Sequence, residues 1–498
     1  MLNTNIMLNS DTTLNTEKTT AKEWKNYAEN KSNKYIPREV EKSLLSISPI
    51  DGRYSSKTSK LQSYFSEFAL FKYRLRVEIE YFIFLIESGL SELERINHEE
   101  NFTGLRKIYK DFSLHDCCVI KSIEHEIKHD VKAIEYFIRI KFEELKLDDF
   151  KSFIHFGLTS QDINNTATTL TIKHCIEKLI YNYIDNIQAT LQDYAHAWKN
   201  ISMISHTHGQ PAVPTTVGKE FKVFWNRINK LQRDLYAMEY YGKFGGAVGN
   251  LNAHYAAYPQ IDWFSKMNEF VGKLGLIRDP ITTQIDNYEN ITCIFDCLKR
   301  INTVLIDLNR DIWTYISMNY FGQKIVAGEV GSSTMPHKVN PINFENSEGN
   351  LQIANTLLEF MSRKLPVSRL QRDLTDSTVL RNLGVIFGHC VIAYESLLDG
   401  MEKIELNHYA IEKDLQENGI VIVEAIQTVM RKYGYADAYE KCKDISRTNK
   451  RVTSESLTLF IKSLDVNEQC REELFRLDTQ TYLGNAVSLI NCPIRNCL

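Results

Sequence analysis

Proline is scarce in this 498-residue chain, at 10 residues, and glycine is little more common at 22. Both interrupt regular structure, so their rarity leaves long stretches free to run unbroken. Ten cysteines are scattered without one C-x-x-C pair: Cys117 and Cys118 are neighbours, and Cys293 and Cys297 are spaced as on a helix. That excludes the usual zinc and dithiol-redox signatures and predicts reduced thiols in a cytoplasmic protein. An excess of one charge is lacking too. A formal net charge of -4 supplies no global field for nucleic acid or an anionic membrane, so neither partner is expected and any anionic ligand must be met by local cations. The apolar runs, such as Tyr81 to Ile86, fall far short of the ~20 residues that span a bilayer.

Residues 1–42 are rich in Asn, Thr, Lys and Ser. They lack a signal peptide's apolar core, and Glu17, Glu23, Glu29 and Glu39 oppose an import sequence. A poorly ordered extension is the expectation. Cys497 is penultimate rather than fourth from last, so it does not meet the prenylation pattern. The remaining chain is ample for burial, with 43% apolar residues overall, and exceeds what one core usually supports.

Helical periodicity is what the chain has in abundance. Leu298, Ile301, Leu305, Leu308, Ile312 and Tyr315 step alternately by three and four, leaving Asp307, Arg310 and Asp311 off the stripe. Ile172, Ile176, Leu179, Tyr183, Ile187, Leu191, Tyr194 and Trp198 repeat the device over about seven turns. Two such helices imply a bundle, and apolar faces this long imply several chains sharing its core. The expected organisation is a helical domain over 43–149, a central long-helix bundle over 150–400 and a helical cap over 401–498, with turns near Gly434 and Gly484.

One segment departs from that helical habit. Gly328 to Pro341 reads GEVGSSTMPHKVNP, a loop whose glycines, hydroxyls and prolines suit movement and freely presented N–H groups. It matches the G-S-S-x-M-P-x-K-x-N-P signature and so resembles the fumarase/aspartase superfamily. The longer block from Ser332 to Asn350, the turn Ser48 to Tyr54, Thr282-Thr283-Gln284 and the stretch Leu365 to Gly384 resemble its purine-pathway branch, the adenylosuccinate lyases, from about Ile47 onward.

The resemblance implies an all-α, three-domain fold whose central bundle forms the core of a homotetramer with active sites shared between subunits. It implies release of fumarate from two succinylated nucleotides, without metal or organic cofactor. In the block Thr207-His208-Gly209-Gln210-Pro211, a lone histidine is more often structural, but by resemblance His208 is the general acid. Ser332 stands at the place of the carbon-acid base, with Ser333 its rival. A bare hydroxyl is a poor base, so backbone N–H groups and Lys338 must stabilise the alkoxide once the loop closes. Glu345 matches the residue that orients and charges the histidine.

For substrate, the resemblance points to Lys128, His129 and Asp130 at a phosphate, with Lys128 where other members carry Asn or Arg. Arg53 and Tyr54 face phosphate or ribose; His155, Thr159 and Ser160 lie in the block that meets the succinyl carboxylates. Gln284, Ser333, Asn340, Asn346 and Ser377 complete the set with Arg372 and Arg381, two forked cations nine residues apart suited to carboxylate or phosphate. An argininosuccinate lyase would share His208 and Ser332 but have no use for Lys128-His129 or Arg53-Tyr54; a lens-type structural relative would need neither proton handler. No Walker loop is found, and Gly242, Gly245, Gly246 and Gly249 are not expected to lie in the strand–turn–helix setting of a dinucleotide site.

Overall fold

The computed structural model describes residues 43–96, 98–325, 335, 338–446 and 454–492. The extension 1–42 and both signature serines, Ser332 and Ser333, lie outside the described residues.

Helix dominates. The first long helix, α1 (Glu67–Glu87), starts where Ser66 Oγ accepts from Ala69 N at 3.1 Å, and it is buried on most sides. Helices α2 (Leu114–Ile127) and α3 (Asp130–Glu144) pack on each other beside it. The helix α4 (Ser160–Cys175) passes through a π turn at Ile176–Ile180 directly into α5 (Tyr181–Ala197). Then come α6 (Val217–Tyr236), α7 (Glu289–Ser317), α8 (Ile342–Lys364), the short α9 (Thr375–Leu380) and α10 (Leu383–Met401).

Five of these close a ring. α5 packs on α6, α6 on α7, α7 on α8, α8 on α10 and α10 back on α5. The stripe on α7 explains its seat, since Leu298, Ile301, Leu305, Leu308 and Ile312 are all buried while Asp307 and Arg310 reach solvent. Asp311 departs from the expectation: it is half-buried, and burial pushes its carboxyl up to about 6. One core runs from Leu61 to Ile490, and a separate one gathers Ile422 to Leu474 near the carboxyl end. The stretch Thr375–Met401 is long and apolar enough to cross a membrane, but 72% of its apolar window is buried inside the protein, as a core helix is.

Strands occur as three two-stranded pairs among the described residues. The largest is a hairpin that the helical periodicity did not announce: β1 (Ser202–Thr207) against β2 (Gln210–Thr216). Pro211 pairs with His206 in the ladder. His208 and Gly209 form the two-residue turn with φ of 53° and 71°, the positive values at both central positions that a tight hairpin requires. The glycine segment also corrects an expectation. It does follow a strand, β3 (Tyr241–Lys243), and precedes a short helix, Asn252–Ala257, yet the N–H groups of Gly245 and Gly246 donate to the buried carboxylate of Asp162.

Candidate active site

A cleft of about 320 Å³ opens where α1, the α2–α3 corner, the start of α4 and α9 meet. Its walls bring together seven of the residues singled out from the sequence: Lys128, His129, Asp130, Ser160, Arg372, Ser377 and Arg381. Arg74, Gln161, Asn164 and Thr168 join them.

The α2–α3 corner is a backbone device. Lys128 caps α2 in the left-handed conformation, φ 57°, its N–H donating to Glu124 O at 2.8 Å. That conformation suits Asn better than Lys. His129 then caps α3, with Nδ1 accepting from Lys132 N at 3.2 Å. An accepting Nδ1 leaves the imidazole proton on Nε2. Asp130 begins α3; its Oδ1 accepts from Val131 N at 2.9 Å and its Oδ2 pairs with Arg74 Nη2 at 2.9 Å. Burial opposes the Asp130 charge, but the Arg74 guanidinium outweighs it with help from that backbone donor, and the carboxyl is held below its usual range.

The opposite wall is set by α4 and α9. Thr159 is the N-cap of α4, its N–H donating to Asp162 Oδ2 at 2.8 Å; Asp162 is itself pinned by the fully buried Lys243 at 2.6 Å. α9 is anchored through Asp376, which accepts from Tyr288 Oη at 2.8 Å, while Asn165 Nδ2 donates to the same hydroxyl at 2.9 Å. This holds Ser377 and Arg381 at the rim, and Gln161 Nε2 reaches Ser377 Oγ at 3.4 Å. Arg372 Nη1 donates to Gln284 Oε1 at 3.0 Å, and Gln284 Nε2 to Ala247 O at 3.0 Å, so Gln284 aims the arginine. Among the described residues Lys128, Arg372 and Arg381 make no ion pair. With the Arg74–Asp130 pair neutral, the cleft is left cationic and suits a polyanionic ligand.

His155 does not line the cleft; it stands at φ 58°, with 12% of its side chain exposed and Nδ1 2.6 Å from Glu78 Oε1. Burial alone would lower its pKa, but the Glu78 carboxylate overcomes this and raises it to about 9. A folded value above the unfolded ~6.5 stabilises fully below pH ~6.5, and that contribution is lost as pH rises through the folded value. Stability should therefore fall between about pH 6.5 and 9 by on the order of 3 kcal/mol from this pair. In urea titrations at fixed protein concentration, His155→Gln should flatten the profile over that window. Parallel profiles for parent and variant would refute the linkage.

Other predicted residues stand elsewhere on the same chain. Tyr54 Oη donates to Asn346 Oδ1 at 3.1 Å, and Asn350 Nδ2 donates to the same oxygen at 2.8 Å. Asn346 Nδ2 donates to Ser396 Oγ at 2.9 Å, so this amide links α8 to α10 and the opening turn. Arg53 is exposed with its guanidinium 6.0 Å from the Tyr54 ring centre. Lys338 and Asn340 lead into α8, and Glu345 lies exposed in its first turn, accepting from Trp313 Nε1 at 3.1 Å. His208 is exposed at the hairpin tip and is not among the residues lining the cleft of its own chain. Arg74 and Glu78 were missed, although two charges one helical turn apart inside the apolar run of α1 were a usable signal. Among the described residues no group of three or more His, Cys, Asp or Glu side chains is placed to hold a metal.

Comparison with known proteins bears on this arrangement. A lyase family model matches residues 52–354, and the adenylosuccinate lyase C-terminal model matches residues 368–483. The chain is 50% identical over 450 residues to the adenylosuccinate lyase of Dictyostelium discoideum, covering 89% of this chain and 97% of that protein. It belongs to the adenylosuccinate lyase family. The family's Escherichia coli K12 member is 45% identical over 450 residues, covering 90% of this chain and 98% of its own length. The all-α fold is also shared with solved structures of lower identity. A fumarate lyase from Mesorhizobium sp. BNC1 superposes with a TM-score of 0.67 at 16% identity, covering 87% of this chain and 96% of that one. A 3-carboxy-cis,cis-muconate lactonizing enzyme from Pseudomonas putida gives 0.67 at 19%, covering 87% and 95%.

Proposed function

We propose that this chain eliminates fumarate from adenylosuccinate, leaving AMP, and from succinylaminoimidazole-carboxamide ribotide, leaving the carboxamide ribotide. The observation that carries the reading is the convergence of Lys128, His129, Ser160, Arg372 and Arg381 on one cleft, in a member of this family. A nucleotide monophosphate bearing a succinyl group presents a phosphate and two carboxylates, and a cationic cleft with forked donors suits all three.

The chemistry divides between two proton handlers. Ser332, as alkoxide, takes the proton from the succinyl carbon next to a carboxylate. The electron pair left behind forms the carbon–carbon double bond of fumarate as the carbon–nitrogen bond breaks, and His208 delivers a proton to the departing nitrogen. Negative charge gathers on the carboxylate before the bond breaks, so the donors around that carboxylate act chiefly in the transition state, while Lys338 stabilises the Ser332 alkoxide. Glu345 orients His208 and supports its charged form.

Each site needs more than one chain. His208 projects from an exposed hairpin tip outside its own cleft, and exposed Trp313, Ile342, Ile353 and Phe360 give α7 and α8 an uncovered apolar face. A homotetramer built on the central bundle would cover that face and bring His208 of one subunit to the cleft of another. The three-part division at 43–149, 150–400 and 401–498 and a cytoplasmic location belong to the same reading.

Incubating the purified protein with adenylosuccinate and following AMP and fumarate by chromatography tests it. Stoichiometric formation of both is expected. Fumarate from argininosuccinate, with none from adenylosuccinate, would overturn the substrate assignment.

A further inference from the structure

We infer that Arg74 is a positioning residue of the cleft, one that masks and fixes the Asp130 carboxylate so that the anionic ligand meets His129 and the free cations instead. The inference rests on the proposed substrate reading, and nothing in the sequence motifs pointed to it.

Arg74 sits on a helix whose neighbouring residues Leu75, Val77, Ile79 and Tyr81 are wholly buried, and it is itself only 5% exposed. Among the described residues its sole ion pair is the one to Asp130, through Nη2. Nε and Nη1 are buried with no hydrogen-bond partner among the described residues. Leaving such donors unsatisfied is costly, and an apolar side chain of similar volume would often serve stability as well or better. What an apolar side chain cannot do is neutralise Asp130.

Two consequences follow for the cleft. Asp130 Oδ1 is held by Val131 N and Oδ2 by Arg74, so both oxygens are fixed at the first residue of α3. The preceding His129, whose Nδ1 caps the same helix, is thereby held with Nε2 as its remaining donor. Without Arg74, a bare carboxylate would face the ligand's phosphate or carboxylates between Lys128 and Arg381, which line the same cleft. Repulsion of that kind acts on the bound substrate as much as on the transition state, so it raises KM more than it lowers kcat.

The test is a kinetic cycle on the full-length enzyme with adenylosuccinate. Arg74→Met is expected to raise KM about ten- to a hundredfold, the span of one lost hydrogen bond to a charged group, with kcat within about threefold. Arg74→Lys keeps the charge and should show a smaller rise, which keeps the inference testable if the methionine variant fails to fold. Because Arg74 acts through Asp130, adding Arg74→Met to Asp130→Asn should raise KM little further. Unchanged KM in both Arg74 variants, or full additivity with Asp130→Asn, would overturn the inference while an impaired Asp130→Asn kept the site reading intact.

Discussion

Replacing His208 with alanine should lower kcat by about a hundred- to ten-thousandfold, the usual worth of one positioned proton transfer, and leave the melting temperature within about 2 °C of the parent. The two halves of that expectation have different origins. The loss of rate follows from the leaving group, because an amine expelled without a proton is a poor leaving group. The unchanged stability follows from the place of His208: it is exposed at a hairpin tip, and within its own chain its removal opens no cavity and orphans no buried partner. The φ of 53° is unfavourable for alanine but also for histidine, so the backbone term largely cancels. Steady-state kinetics with a thermal melt on the same sample decide the matter. A variant within tenfold of the parent rate would remove His208 from the proton-donor role; one that loses both rate and melting temperature would point to a structural part for the hairpin.

Much of the fold was legible because its signal is periodic. The stripe from Leu298 to Tyr315 depends only on spacing; its members are buried in α7 as far as Ile312, and Tyr315 is half-buried. The hairpin Ser202–Thr216 was not legible in the same way. Its strands carry Ser205, His206, Pro211 and Pro214 where alternating apolar residues would normally announce a strand, and its turn is marked only by His208-Gly209. The five-residue π turn at Ile176–Ile180 also left no mark, since the apolar steps of three and four continue through it.

The candidate site divides along another line. Residues within one motif, such as Lys128, His129 and Asp130, could be named together because they are consecutive in one segment that resembles the family. The convergence of that corner with Ser160, Ser377 and Arg381 depends on packing among α3, α4 and α9, for which no local pattern exists. Resemblance to a family supplied it, and resemblance points only at residues that act on substrate. It therefore passed over Arg74, Asp162 and Lys243, whose work is to hold other groups in place.

Mixing two inactive variants, one lacking His208 and one lacking a cleft arginine, should restore activity. His208→Ala retains an intact cleft and Arg372→Ala retains an intact hairpin. If each site takes its histidine from one subunit and its arginine from another, random reassembly of equal amounts leaves about one quarter of sites with neither lesion. Recovery to about one quarter of the parent rate is therefore expected after subunit exchange under mild denaturant and dilution, from parents each reduced by about a hundredfold or more. The proposal of shared sites makes a quantitative demand here: recovery should follow the product of the two variant fractions and peak at equal mixing. If the histidine and arginine of one chain served the same site, every site would carry a lesion at any mixing ratio. Hybrid assemblies verified by native mass spectrometry that stay inactive would thus reject the shared arrangement. The exposed His208 would then have to reach its own cleft by a rearrangement of the hairpin, a different mechanism with its own kinetic signature, since turnover would no longer depend on protein concentration near the dissociation point.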